Sequence, residues 1–371
     1  MTKILILGGY GYTGRLIARH LLKESNAKIV LAGRNPDKAQ ALADQLNSEF
    51  SGKRVTTECV DAAEAHSLRA ALNGVDMLLV AAPTTQYAET VIHTAMETRV
   101  DYLDVQISAK KLAVLRSLSG EFEKAGLCYI TEAGFHPGLP SAMVRLAAGH
   151  FDRIENAITA CYLNLGPNLP YSEAVDELME AFKEYRGEVY KEGRWTKSGS
   201  YNLRKIDFGG ELGIRTCYSM FFEELSALPE MYPSLKEVGF YISESHWLVD
   251  WVINTLVMLA LKIAPTRAVR PFGKFLWWGM QTFPKPPYRV ELLIEAFGMK
   301  DGQLARYRTS IKHADGYELT AIPVVACLLQ YLDGSARKPG LWMMGHLVEP
   351  VRLMDDMQRM GIEVSTTIQA V

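Results

Sequence analysis

Lys3-Ile4-Leu5-Ile6-Leu7-Gly8-Gly9-Tyr10-Gly11-Tyr12-Thr13-Gly14 opens the chain, followed by Arg15-Leu16-Ile17-Ala18-Arg19-His20-Leu21-Leu22 and then Lys28-Ile29-Val30-Leu31-Ala32-Gly33-Arg34. The first five residues are an apolar run suited to a strand buried on both faces. The glycine segment interrupts it, and the residues beyond Gly14 carry the apolar spacing of a helix. The third stretch reads as a second strand. Strand, glycine turn, helix and strand within about thirty residues form the unit that sets the pyrophosphate of a dinucleotide on a helix N-terminus. Gly9 and Gly11 are expected to allow the tight turn and the close approach to phosphate, and Gly14 to let the helix pack on the sheet. Gly8, Tyr10, Tyr12 and Thr13 complete the expected loop, with the tyrosines covering the cofactor or packing locally.

The end of the second strand bears on which dinucleotide binds. An acidic residue there would hold the ribose 2′-hydroxyl of NAD. This chain has Gly33 and Arg34 instead. A carboxylate would repel a 2′-phosphate, whereas a guanidinium grips one with two parallel hydrogen bonds. The expected cofactor is therefore NADP(H). The plainer reading of Arg34 is a solvated loop residue ahead of Asn35-Pro36, which reads as a helix start.

Alternation continues downstream. Helices are expected over Pro36 to Phe50, Glu64 to Leu72, Thr85 to Thr98 and Ser108 to Lys124, with strands over Arg54 to Val60, Asp76 to Ala82, Val100 to Val105 and Leu127 to Thr131. Six strands separated by helices predict an α/β fold, a Rossmann doubly wound parallel sheet, over residues 1–133. From Gly134 the pattern changes. Hairpins at Glu192-Gly193 and Lys300-Asp301-Gly302 and a half-exposed strand from Glu155 to Leu165 predict a second α+β domain over 134–317, built on a mostly antiparallel sheet. Residues 318–371, with helices over Leu319 to Leu332 and Pro350 to Met360, are expected to pack back onto the first domain.

Composition narrows the function classes. The chain has 371 residues, a formal charge of −2 and no basic run, which argues against nucleic acid as a partner. Five scattered cysteines form neither a CxxC pair nor a disulfide framework, and no His/Cys cluster has metal-ligand spacing, so no metal is expected. The opening apolar run is too short for a signal peptide, and a cytoplasmic location is expected. Leu248 to Ala264 is the most apolar stretch but contains Asp250, Asn254 and Lys262. It is read as a buried helix, an oligomer contact or the wall of an apolar pocket, rather than a membrane span.

Ligands of doubly wound sheets lie at the carboxyl ends of the strands. That rule nominates Asp61 beside the adenine, with helix capping as its other role, and Ala81, Ala82 and Pro83 beside the ribose. It nominates Asp104 and Gln106 after the fifth strand and His136 after the sixth as the catalytic candidates. His136 sits in a rigid Gly/Pro-rich turn, where it would exchange the proton that accompanies hydride transfer or simply brace the turn. Lys110 and Lys111 are expected to be solvated.

The glycine loop, Ala32-Gly33-Arg34, Tyr102-Leu103-Asp104-Val105 and Gly134-Phe135-His136-Pro137-Gly138-Leu139-Pro140-Ser141 together resemble the NADP-binding domain of saccharopine dehydrogenase (saccharopine reductase). His313-Ala314-Asp315-Gly316-Tyr317 with Thr320-Ala321 also resembles that family's C-terminal part. The resemblance implies a pyridine-nucleotide oxidoreductase acting on C–N bonds, through an imine made from an amine and a carbonyl compound. Two loops depart from the family pattern: Gln106-Ile107-Ser108 stands in place of a Thr-Gly-Glu-like turn, and His136 in place of Asp. An aromatic-rich region from Trp247 to Phe283 points to one alternative, and the changed residues in both loops to another. One is an enoyl- or lipid-type reductase with an apolar substrate. The other is a non-catalytic NADP-binding protein that associates with a partner or a membrane surface. The partners expected are a small-molecule substrate and a second copy in a homodimer.

Overall fold

β1 (Lys3–Leu7) keeps Ile4, Leu5, Ile6 and Leu7 away from solvent, because helices cover both faces of its sheet. The computed structural model describes residues 1–196, 202–244 and 246–371. The chain divides into two units, Met1–Leu139 with Thr320–Met360, and Pro140–Leu319 with Gly361–Val371.

In the first unit β1 is followed by α1 (Tyr12–Glu24), β2 (Lys28–Gly33), α2 (Pro36–Glu49), β3 (Val55–Cys59), α3 (Ala65–Ala71), β4 (Met77–Val80), α4 (Ala88–Glu97), β5 (Asp101–Asp104), α5 (Ala109–Ser117), α6 (Ser119–Ala125) and β6 (Cys128–Thr131). The strand order is Gly340–Met343, β6, β5, β4, β1, β2, β3, and every pairing is parallel. The order reverses between β1 and β4, which puts the ligand crevice at their carboxyl ends. One face of the sheet packs Leu5, Val30, Leu78 and Tyr102 against Ile92, Leu115 and Phe122. Phe122 stacks on Tyr129 with ring centroids 3.8 Å apart.

Two features of this unit differ from the sequence reading. The helix expected from Ser108 to Lys124 is two helices broken at Leu118, where the Ser119 hydroxyl donates to the Arg116 carbonyl and Gly120 follows. A side-chain competitor for backbone hydrogen bonds beside a glycine weakens a helix at that point. The seventh strand, Gly340–Met343, pairs with β6 from Gly340↔Cys128 to Met343↔Thr131 and was not anticipated. Its segment is anchored through Asp101, whose carboxylate accepts from Tyr331 Oη at 2.6 Å, Arg337 Nε at 2.9 Å and the Cys128 N–H at 2.9 Å.

The second unit contains β7 (Arg153–Asn164), β8 (Val189–Lys191), β9 (Arg194–Thr196), β10 (Leu203–Asp207), β11 (Ile214–Met220), β12 (Glu237–Glu244), β13 (Arg289–Lys300) and β14 (Gln303–His313). The sheet order is β10, β11, β12, β7, β13, β14 and a closing strand Glu363–Ala370. Only β7 and β12 among these neighbours run parallel. Both expected hairpins form. Glu192 and Gly193 have φ of 49° and 83°, and Asp301 and Gly302 have φ of 50° and 76°, the left-handed pair that a two-residue hairpin turn needs. The closing strand pairs with β14 and so belongs here, whereas the whole of 318–371 was expected on the first domain. It reads as an exposed polar tail because its side chains are almost all solvated, and only backbone pairing makes it a strand.

Helical segments that pack together in this unit are Glu173–Lys183, a π-helical turn Leu248–Ile253 running into Asn254–Ile263, and Val269–Thr282. They bury Val175, Met179, Ile253, Val257, Leu276 and Trp277 against one another. Trp277 donates from Nε1 to the Leu169 carbonyl at 3.0 Å. The aromatic-rich region is thus partly core, while Trp247 and Trp278 stand in solvent. Among the described residues no helix is long and apolar enough to cross a membrane.

Candidate cofactor site

The glycine loop is shaped by contacts that exclude side chains. Gly8 has φ +84°, and a Cβ there would lie 2.8 Å from Cβ of Ala82 at the end of β4. A Cβ on Gly14 would be driven into the Gly8 carbonyl and to 2.9 Å from Cα of Gly9. The close packing of α1 at Gly14 is therefore against the loop backbone, rather than against the sheet as the sequence reading has it. Gly11 donates its N–H to the Gly8 carbonyl at 2.9 Å and serves as the N-cap of α1, without a side-chain cap and with no acidic residue in the first turn. The helix therefore presents uncapped N–H groups and positive dipole to an anion. Tyr12 and Thr13 form the start of that helix, and Arg15 lies over the Tyr12 ring at 4.8 Å.

Tyr10 packs locally. Its ring lies on Gly33, where a Cβ would meet the hydroxyl at 2.6 Å, and that hydroxyl accepts from the Asn35 N–H at 2.9 Å. Asn35 caps α2 through Oδ1 and the Lys38 N–H. Between these anchored residues Arg34 is exposed and makes no ion pair among the described residues. Just past β3, Asp61 Oδ1 accepts from the Ala63 N–H at 3.0 Å within a turn, whereas the N-cap of α3 is Glu64, so Asp61 does not cap that helix.

A buried polar cluster lies under the ends of β4, β5 and β6. Lys111 Nζ is 2.6 Å from Asp104 Oδ1 and 2.5 Å from the Gln106 carbonyl, and both charged side chains are fully buried. Asp104 also accepts from Thr131 Oγ1 at 2.9 Å and the Gln106 N–H at 3.1 Å. Gln106 Nε2 donates to the Ala82 carbonyl at 2.7 Å and to Thr84 Oγ1 at 3.1 Å. Asp104 and Gln106 thus tie the β5 end to the Ala81–Pro83 loop, and through Ala82 to Gly8. The expectation that Lys111 is solvated is wrong: one turn into α5, it faces the strand ends where Asp104 supplies its countercharge. Burial first, and then the Asp104 carboxylate, raises the Tyr102 phenol well above its ordinary value.

The loop leaving β6 carries two ionisable side chains. Glu132 is buried with φ +54°, a left-handed conformation costly for a residue with a side chain and often kept at functional sites. The sequence reading left it unassigned, although a charged residue closing a fully buried strand was a visible signal. His136 is partly exposed as a residue, but both ring nitrogens are shielded from solvent, and that burial pushes its imidazole down to about 4. Near neutral pH it is uncharged.

A parallel sheet of this order, with a glycine turn feeding an uncapped helix N-terminus at the order reversal, defines a dinucleotide-binding protein of the Rossmann class. Residues 4–130 match the saccharopine dehydrogenase NADP binding domain. Over those residues the chain is similar to a domain that binds a nicotinamide cofactor. It is 25 % identical over 271 residues to carboxyaminopropylagmatine dehydrogenase of Synechocystis sp., a match covering 67 % of this chain and 64 % of that protein. It is 23 % identical over 397 residues to carboxynorspermidine synthase of Vibrio cholerae, covering 95 % of this chain and 94 % of that one. Saccharopine dehydrogenase (L-Glu forming) from Saccharomyces cerevisiae shares the fold, with a TM-score of 0.68 and 14 % identity over 99 % of this chain and 100 % of the other.

Proposed function

We propose that the chain uses NADP(H) to interconvert an imine, made from an amine and a carbonyl compound, with the corresponding secondary amine. The observation that carries the cofactor choice is Arg34, an exposed guanidinium at the end of β2, where an NAD-binding protein would place a carboxylate. The Gly8–Gly14 loop and the α1 N-terminus would hold the pyrophosphate and Arg34 the 2′-phosphate. Ala81, Ala82 and Pro83 would flank the ribose, and the free oxygen of Asp61 the adenine. Bound there, the nicotinamide supplies or accepts hydride.

The chain's own residues then position and manage protons. Asp104 and Gln106 act as positioning residues, since Gln106 holds the Ala82 loop and Asp104 holds Gln106. A neutral His136 suits C–N chemistry. An imine already protonated on nitrogen needs no proton donor as its carbon is reduced, so an imidazole that is uncharged at pH 7 is no obstacle. A carbonyl or enoyl acceptor would need a proton in the same event. The C–N assignment also draws on the two relatives, named for carboxy-substituted amines.

The test is NADPH oxidation with pairs of a di- or polyamine and a carboxylated aldehyde, with each component alone as control and the secondary amine identified by mass. Turnover by a pair and by neither component supports the proposal. Turnover of enals but of no pair would replace it with the apolar reductase reading. Tight NADPH binding without turnover of either class would favour the non-catalytic reading.

A further inference from the structure

The helix Asn254–Ile263 and the π-helical turn before it present an apolar stripe to solvent. Val252, Leu256, Leu259 and Ile263 recur at helical spacing along one side, all exposed, with Ile263 at 75 %. Ile253, Val257 and Leu261 fill the opposite side and are buried. At one end of the stripe the aromatic surface is continuous. Trp247, 60 % exposed, lies 6.0 Å from His246, which stacks at 5.6 Å on Phe283, which meets Trp278, 51 % exposed, at 5.2 Å. Such apolar exposure marks an interaction surface.

Charge identifies the occupant. From His246 to Tyr288 the chain has five cationic residues, Lys262, Arg267, Arg270, Lys274 and Lys285, and one acid, Asp250. All five cations are exposed and none forms an ion pair among the described residues, while Asp250 is buried. The helix Glu173–Lys183, packed beside Val269–Thr282, carries four carboxylates, of which Asp176 accepts from the Tyr171 hydroxyl and Glu180 pairs with Lys183. A second copy placed across a two-fold axis on the stripe would set these cations against their own images. An anionic lipid surface complements both features. The aliphatic stripe and exposed tryptophans enter the headgroup boundary, and lysine and arginine reach anionic headgroups beside them.

We propose that this face binds an anionic membrane surface, lying on the bilayer without spanning it. The proposal is independent of the substrate and cofactor assignments above. The test is co-sedimentation of the full chain with vesicles of equal parts phosphatidylcholine and phosphatidylserine, beside vesicles of phosphatidylcholine alone. Binding is expected to the mixed vesicles only, with a blue shift of tryptophan emission, and to fall at least tenfold in Leu259→Asp/Ile263→Asp and at high salt. Both positions are already exposed, and unchanged circular dichroism and NADPH affinity would show the variant folded. Absence of binding to the mixed vesicles at low salt overturns the proposal. So does a dimer in solution that Leu259→Asp/Ile263→Asp converts to monomer, because the stripe is then a contact between copies.

Discussion

Lys111 and Asp104 form an ion pair with no solvent exposure on either side chain, 2.6 Å apart under the strand ends that face the cofactor crevice. Desolvating two charges is offset only when every remaining group is satisfied, and here Thr131 and the Gln106 backbone complete the set. Removing one partner leaves a buried, uncompensated charge. Lys111→Met is expected to lower stability by about 3–5 kcal/mol in urea unfolding, and Lys111→Met/Asp104→Asn to recover at least half of it. A double variant no more stable than the single would show that the pair contributes nothing as a unit.

Gly14 and Gly33, the last residue of β2, should respond differently to an added methyl. At Gly14 the Cβ meets backbone, the Gly8 carbonyl and Cα of Gly9, which cannot move without reshaping the phosphate turn. At Gly33 it meets the far end of the Tyr10 side chain, which can swing away at the loss of one hydrogen bond to Asn35. Gly14→Ala is expected to abolish measurable NADPH binding by calorimetry, and Gly33→Ala to weaken it by about tenfold, the worth of one charge-free contact and its packing. Equal losses would mean that Tyr10 is as fixed as the backbone.

The first unit was legible because its central strands β1, β2 and β4 are buried on both faces and so read as apolar runs, with glycine marking the turn between β1 and α1. The same logic missed Gly340–Met343, a run of only four residues near the end of the chain, and the closing strand, whose side chains are almost all solvated. Glycine positions located the phosphate loop, but their spacing did not show that Gly33 makes room for Tyr10. Lys111 was misread because neighbouring lysines at a helix start usually face water; only the fold turns one of them onto Asp104. The depressed His136 imidazole depends on what covers its ring, which no local pattern records.

Arg34 is exposed while its neighbours are pinned, Gly33 beneath Tyr10 and Asn35 as a helix cap. Changing its charge should therefore alter ligand choice without altering the fold. Arg34→Asp is expected to weaken NADPH binding more than tenfold relative to NADH, since a charge-assisted contact with phosphate is worth about 1.5 kcal/mol or more. Thermal unfolding should stay within experimental scatter of the parent. If both affinities fall together, the 2′-phosphate is held elsewhere.

His136 sets an acid limit on the folded state. The unfolded chain takes up a proton on this imidazole near the ordinary value of 6.5, while the folded chain resists until about 4, because burial disfavours the charged ring. Between those values the unfolded state binds more protons, so this group lowers stability as pH falls from 6.5 to 4 and has no effect above that window. The full difference approaches roughly 3 kcal/mol, and less to the extent that the ring is wetted. His136→Asn should remove that part of the slope in urea titrations across the window, leaving the carboxylate contribution at lower pH. The same burial predicts that the parent's kcat/KM profile has no inflection near 6.5 that His136→Asn abolishes. An inflection there that disappears in the variant would mean that the imidazole titrates in its ordinary range and carries the proton in turnover, and the neutral-imidazole account of the site would have to be given up.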